Sequence, residues 1–339
     1  MQNRRALRLE QLCVARLGVP LIVKTPHVPF WIAECSRIGF ESKEARTCGY
    51  STIGERAALH YDRAMPELPE VQTVVNDLLA AGLVGCGIHG AKVFWSRCVE
   101  PMEPSEFSRL VANRSVEAIQ RRGKYLVLKL SQGWLLIHLR MTGRLEIVSP
   151  SSERDKHEHV IFDLDDGRQL RFHDTRKFGR MHITRDPSAV LDALGLEPLG
   201  EEFTAGVLGK MLRSRKRSLK PLLLDQTFIA GIGNIYCDES LWQARLHPLR
   251  RSTTLTDGEI HALHIAIRSV LNKAIRNLGT SLGTGEANFS ISGGRSGRNR
   301  DSLMVFRRAK EPCKRCASII RRIVVGQRGT FVCTQCQPR

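Results

Sequence analysis

No stretch of the 339 residues is long and uncharged enough to cross a bilayer, which takes roughly 18 apolar residues in a row. The first residues also lack the short apolar core of a secretory signal, so an intracellular, soluble chain is expected. Acid is scarce: 34 Asp and Glu stand against 52 Lys and Arg, a net charge of +18. A polyanion is then the natural partner and nucleic acid the commonest one, although charge does not choose between DNA and RNA. The ten cysteines are not spread as a disulfide framework, which argues against a small secreted scaffold. Neither an internal repeat nor a heptad stripe calls for a solenoid or a partner helix, so a monomer is expected. What remains has the length of two ordinary domains with an appendage.

Residues 1–64 carry no sustained helical or strand period and stand apart as an extension. From Pro66, the run PELPEVQTVVNDLLAAGLVG puts Val71, Val74, Val75, Leu78 and Leu79 at helical spacing, with proline and carboxylate confined to the first turn. Short apolar runs follow, KYLVLKL, WLLIHLRM, HVIFDL and RQLRF, broken at Ser131-Gln132-Gly133 and Asp165-Asp166-Gly167. They read as an antiparallel sandwich or barrel. From about Thr204 the texture is helical, with Thr256 and Glu259 as a capping box before Ile260, Leu263, Ile267, Val270 and Leu271, and Gly279 as the stop. Residues 280–302, rich in Gly, Ser and Arg, bury little and predict a mobile loop.

Cys313-x-x-Cys316 and Cys333-x-x-Cys336 have the spacing by which two knuckles of a hairpin offer four thiolates to one tetrahedral Zn²⁺. Four cysteines fill the coordination sphere, so the ion is structural. Between the pairs, Gly326-Gln327-Arg328-Gly329 forms a turn that pushes Arg328 outward, as a phosphate ligand or as a solvated charge.

Met65-Pro66 is an unusual junction. Initiation at Met65 and removal of that methionine would leave proline with a free secondary amine. Such an amine titrates near 7.7–8.0, lower still beside a cation or helix N-terminus. Attack on a sugar C1′ would give an iminium that acidifies the C2′ proton and invites elimination. Glu67 lies beside that amine and Glu70 three residues on, both placed to move protons, or simply to complement the helix dipole.

PELPEV at 66–71, RRGKY at 121–125, GIGNIY at 231–236 and the zinc hairpin, in this order, resemble bacterial formamidopyrimidine-DNA glycosylase from Pro66 to Arg339. The resemblance implies an α+β protein: an N-terminal helix and antiparallel β-sandwich over 66–195, a helix-two-turn-helix domain over 196–280, a mobile lesion-recognition loop over 281–305 and a zinc-finger hairpin over 306–339. It implies base-excision repair, with oxidised purines removed from duplex DNA and the strand cut by β,δ-elimination, in the bacterial cytoplasm at the nucleoid. Pro66 matches the Schiff-base nucleophile, Glu67 the acid/base, Glu70 a supporting carboxylate, and Lys124 and Arg328 proton donors for the two eliminations or phosphate contacts. His159, Lys220 and Asn234 match phosphate ligands. Met141, Arg176 and Phe178 match the wedge that fills the gap left by a flipped base. Their neighbours His138, Arg140, Arg144, Arg171, His173 and Lys177 favour an exposed rim over a core.

Three features depart from the family pattern. Thr175-Arg176-Lys177-Phe178 replaces a proline and two arginines before phenylalanine, which loses a bidentate fork. Past Gly279-Thr280-Ser281-Leu282 the loop aligns poorly. The extension 1–64 would make Pro66 an inert amide, so Met65 is expected to be the true start. Three other readings stand beside the first: an endonuclease VIII-like pyrimidine enzyme, against which Leu68 counts, a non-catalytic DNA binder, and a zinc-ribbon RNA-binding protein.

Overall fold

Pro69, in the first turn of helix α1 (Leu68–Ala80), forgoes an amide hydrogen that has no partner there anyway. The structure, a computed structural model, describes residues 65–282 and 296–339; the extension and the middle of the glycine-rich segment lie outside the described residues. One stripe of α1, Val71, Val74, Val75 and Leu78, is buried against the sheets. Leu79, about 100° further round the helix, is not part of that stripe and stays 44% exposed.

Eight antiparallel strands follow: β1 (Gly87–Val93), β2 (Arg114–Arg122), β3 (Tyr125–Leu130), β4 (Trp134–His138), β5 (Gly143–Val148), β6 (Glu158–Leu164), β7 (Gln169–Asp174) and β8 (Arg180–Thr184). Their order is β5-β7-β6-β1-β2-β3-β4-β8. Only Gly87 with Ser115 and Ile88 with Arg114 pair across the middle, so two four-stranded sheets share one corner and enclose a common core, the sandwich form. Helix α2 (Pro104–Val111) adds Phe107 and Val111 to that core. Arg122 pairs with Tyr125, which leaves Gly123 and Lys124 as a two-residue hairpin tip; Gly123 supplies the positive φ that such a turn asks of its first residue.

Beyond the four-residue helix α3 (Ser188–Leu191), the chain forms α4 (Ala205–Arg213), α5 (Leu219–Leu223), α6 (Asn234–Gln243) and α7 (Asp257–Arg276). The Thr256–Glu259 capping box opens α7, and Gly279 closes it with positive φ and a bond from its N–H to the Ala274 carbonyl. Strands β9 (Arg321–Val325) and β10 (Arg328–Val332) make the terminal hairpin. Ile320, Phe331 and Cys333 share one core with α4 to α7, so the hairpin is packed into the helical half. The ends of the glycine-rich segment are also fastened. Thr280 and Asn299 are buried, Thr280 bridges Arg298, and Leu303 and Val305 sit in the helical core. Composition underestimated these ends, because the few groups that anchor them are partnered from elsewhere in the chain.

Leu68 belongs to the helical core, while the rest of the α1 stripe belongs to the sandwich core. The N-terminal end of α1 is thus held at the seam between the two.

Candidate active site

Glu67 is the residue on which the seam closes. Its carboxylate accepts the backbone N–H groups of Gly233 at 2.8 Å, Ile235 at 2.9 Å and Tyr236 at 3.3 Å. An acid at the start of α1 therefore complements the N-terminus of α6, a different helix 166 or more residues away in sequence. The close approach depends on glycine. A Cβ on Gly233 would lie 2.3 Å from Glu67 Cδ, and one on Gly231 2.8 Å from Leu68 Cβ. The Leu68 N–H also donates to the Gly231 carbonyl at 3.0 Å.

Lys124 faces the same pocket from the β2–β3 tip and is only 7% exposed. Burial pushes the Glu67 carboxyl up to about 7 against the pull of Lys124, with Glu70 adding to the rise. Burial likewise pulls the Lys124 amine down, against the attraction of Glu67 and Glu70 and helped by the Arg328 and Arg140 charges. Burial thus brings the proton affinities of the two groups closer together, and the Glu67 carboxyl can exchange a proton near neutrality. Pro66 is buried directly ahead of them.

Glu70 organises what surrounds Glu67. One oxygen accepts the Glu67 N–H at 2.9 Å; the other accepts the Thr280 N–H at 2.7 Å and the Tyr236 hydroxyl. The Thr280 hydroxyl contacts Tyr236 at 2.9 Å and accepts from Asn299 at 3.0 Å. Both ends of the glycine-rich segment are thereby wired to α1. Tyr236, Thr280 and Asn299 were not anticipated as site residues, although Tyr236 lies inside the GIGNIY motif.

Lys220 departs from expectation. It is fully buried, donates to Asp238 at 2.7 Å and to the Gly329 carbonyl at 3.1 Å, and is not a surface ligand for phosphate. The physical reason is α5, whose Leu219, Leu222 and Leu223 draw the lysine into the core with them. Asp238, raised to about 6 by burial against the pull of Lys220, also accepts the Phe331 N–H at 2.9 Å. Asn234, the first residue of α6, donates its amide to the same Gly329 carbonyl at 3.0 Å, and its buried Oδ1 has no partner among the described residues. The hairpin turn thus rests on α5 and α6, with Arg328 exposed beside the pocket.

The four thiolates lie within 4.8 Å of one another, with Cys313–Cys336 at 3.9 Å and Cys316–Cys333 at 3.4 Å. Tetrahedral zinc with bonds of about 2.3 Å needs sulfurs about 3.8 Å apart, so the donors fit one structural Zn²⁺.

The wedge residues come together. Arg176 donates to Met141 Sδ at 2.8 Å and lies 4.8 Å over the Phe178 ring, which is 45% exposed. The rim expected around them is only partly there: Lys177 is exposed, but His138, Arg171 and His173 are buried, Arg171 in an ion pair with Glu158 at 3.1 Å. Asp174, which no motif flagged, shapes the loop by accepting the Arg176 and Gly179 N–H groups at 3.1 and 2.7 Å and the Thr142 hydroxyl. His159 is buried too, its Nε2 2.8 Å from the Asp174 carbonyl, which ties its ring to the backbone of this loop.

Three family models match in sequence order: the formamidopyrimidine-DNA glycosylase N-terminal domain over residues 65–181, its H2TH domain over 194–285, and the zinc finger found in FPG and IleRS over 310–339. The formamidopyrimidine-DNA glycosylase of Chloroflexus aurantiacus is 49% identical over 277 residues, 80% of this chain and 98% of that protein. This chain belongs to the formamidopyrimidine-DNA glycosylase family. The Protochlamydia amoebophila glycosylase is 41% identical over 81% of this chain and all of its own length. Among solved glycosylases, a mutant Lactococcus lactis FPG bound to Fapy-dG-containing DNA superposes with a TM-score of 0.74 at 34% identity, over 81% of this chain and 100% of that one. MutM bound to DNA containing carbocyclic 8-oxo-G gives 0.73 at 34% identity, with the same coverage. No described helix is long and apolar enough to cross a membrane.

Proposed function

We propose that this glycosylase excises 8-oxoguanine and formamidopyrimidines from duplex DNA with the amine of Pro66 as nucleophile, and then cuts the strand at the abasic site as a lyase. The observation that carries this reading is the buried Glu67–Lys124 pair directly behind Pro66. It joins a carboxyl raised to about 7, on a helix end held by three backbone donors, with an amine that burial pulls down. Attack at C1′ expels the base, which leaves with a proton, and forms an iminium. Loss of the C2′ proton then breaks the C3′–O bond, and a second elimination breaks C5′–O. Glu67 acts as acid and base in ring opening and C2′ deprotonation, and Glu70 holds its backbone. Lys124 and Arg328 protonate or bind the departing phosphates. Met141, Arg176 and Phe178 fill the vacated stack, and Asn234 binds backbone phosphate at the start of α6. Cytoplasmic action at the bacterial nucleoid follows from such a substrate.

Pro66 has a nucleophilic amine only where no residue precedes it. The test is borohydride trapping on a duplex with 8-oxoguanine opposite cytosine, with intact mass read on the same sample. A covalent adduct on a chain beginning at Pro66 is expected. An unmodified chain that retains residues 1–64 and still binds the duplex would instead establish the non-catalytic binder.

A further inference from the structure

Glu197 lies outside every motif singled out above, in the connection between the two cores, yet it gathers the whole RRGKY turn. Its Oε1 accepts from Arg121 Nη1 at 3.0 Å, from Arg122 Nη1 at 3.2 Å and from the Gly123 N–H, while Oε2 faces Arg121 Nη2 at 2.8 Å. Arg122 also donates to the carbonyls of Leu194 and Gly195 at 2.9 and 2.7 Å, and Arg121 to Gln72 on α1 at 3.1 Å. On its other side the connection is bonded to the segment that leads into the GIGNIY turn: the Gly195 N–H donates to Gln226 at 2.8 Å, and the Ala230 N–H to Leu196 at 2.9 Å. Gln226 in turn holds the Gly231 N–H and the Ile232 carbonyl, each at 2.9 Å.

We propose that Glu197 is a positioning residue that fixes the distance between Lys124 and Glu67. One carboxylate fastens the hairpin tip that ends in Lys124 to the same strip of backbone that delivers the Gly233, Ile235 and Tyr236 donors to Glu67. The fit at this junction is tight. A Cβ on Gly123 would meet Ala230 Cβ at 3.2 Å, and one on Gly195 would lie 2.3 Å from the Phe228 backbone. With its charge removed, Glu197 would still fill its place but hold two arginines and an amide more weakly, and Lys124 would sample positions out of register with Glu67.

The inference rests on the roles proposed above for Lys124 and Glu67. The experiment measures single-turnover excision of 8-oxoguanine and affinity for an abasic-analogue duplex in wild type, Glu197→Gln, Lys124→Gln and the double variant, in the full chain and in the chain starting at Met65. Glu197→Gln should slow excision roughly tenfold and leave affinity within about twofold. The double variant should be no slower than Lys124→Gln alone, because the carboxylate acts through the lysine. Multiplying effects, or affinity lost in step with rate, would overturn the proposal. Should Glu197→Gln melt below the assay temperature, Arg122→Gln loosens the same turn and gives the same comparison. A wild-type chain that excises nothing in either form would instead overturn the reading of the site itself.

Discussion

Glu67 and Lys220 show how far a residue's neighbours decide its chemistry. Glu67 reads in sequence as a first-turn acid and becomes, by burial, a carboxyl that titrates at about 7. On the role proposed for protonated Glu67 as the acid in sugar-ring opening, excision should fall as pH rises through about 7, and Glu67→Gln should abolish that limb and slow excision by about 10²–10⁴. Single-turnover rates from pH 5.5 to 8.5 would check this; an unchanged limb in the variant assigns the titration elsewhere. The same shift has a stability sign. The folded carboxyl holds its proton to a higher pH than the unfolded one at 4.5, so its contribution is complete below that value and is lost as pH climbs to about 7. Thermal melts of Glu67→Gln should therefore gain on wild type across that interval.

Lys220 makes the opposite case, a cation whose charge never meets solvent. Lys220→Met strands Asp238 and should cost about 3–5 kcal/mol in denaturant unfolding, while the salt slope of DNA binding stays as in wild type. A slope reduced by about one would mark a lost phosphate contact. Neither environment is legible from sequence, since the Glu67 donors and the Lys220 partners lie between 18 and 169 residues away. Asp174 left no signal either, because its work is done on backbone amides that any sequence would supply.

Among the elements, those with a strong local signal were the legible ones. The α1 stripe, the Thr256 capping box and the paired C-x-x-C knuckles each follow from spacing alone, and β3, β4, β6 and β7 from apolar runs between turns. Strand β1 was not legible: in GIHGAKV only Ile88 is buried, so no alternation marks it. The GIGNIY turn could be named by resemblance, but its requirement for glycine is visible only in three dimensions. Gly233→Ala forces a Cβ into the Glu67 carboxyl, so the expected result is a stability loss of about 1–3 kcal/mol with excision suppressed well beyond what that loss explains. Denaturant unfolding and single-turnover rates on one preparation separate the two. For the zinc hairpin, one ion per chain is expected by metal analysis. Chelation should weaken duplex binding and lower the melting transition of the helical half, with which the hairpin shares a core.

At the scale of the molecule, charge is divided by depth. Of the 52 basic residues, Lys124 and Lys220 are buried in or beside the pocket, whereas Arg213, Arg215, Lys216, Lys177 and Arg328 face solvent. Surface cations act on DNA by displacing counterions, a term that salt cancels. Buried groups act across a short, dry distance that salt scarcely reaches. Binding and chemistry should therefore respond differently to ionic strength. With about 6–10 phosphates engaged, affinity for a lesion duplex should fall about 10³–10⁵-fold between roughly 50 and 200 mM salt. Single-turnover excision at saturating protein should hardly change over the same range, because Glu67 and Lys124 are both buried near the seam where α1 passes from one core to the other. Titration of both quantities on one duplex decides the matter. An excision rate that fell along with affinity would mean that surface charge sets the geometry of the pocket, and that the two cores are not held in register by the Glu67 and Glu70 hydrogen bonds alone.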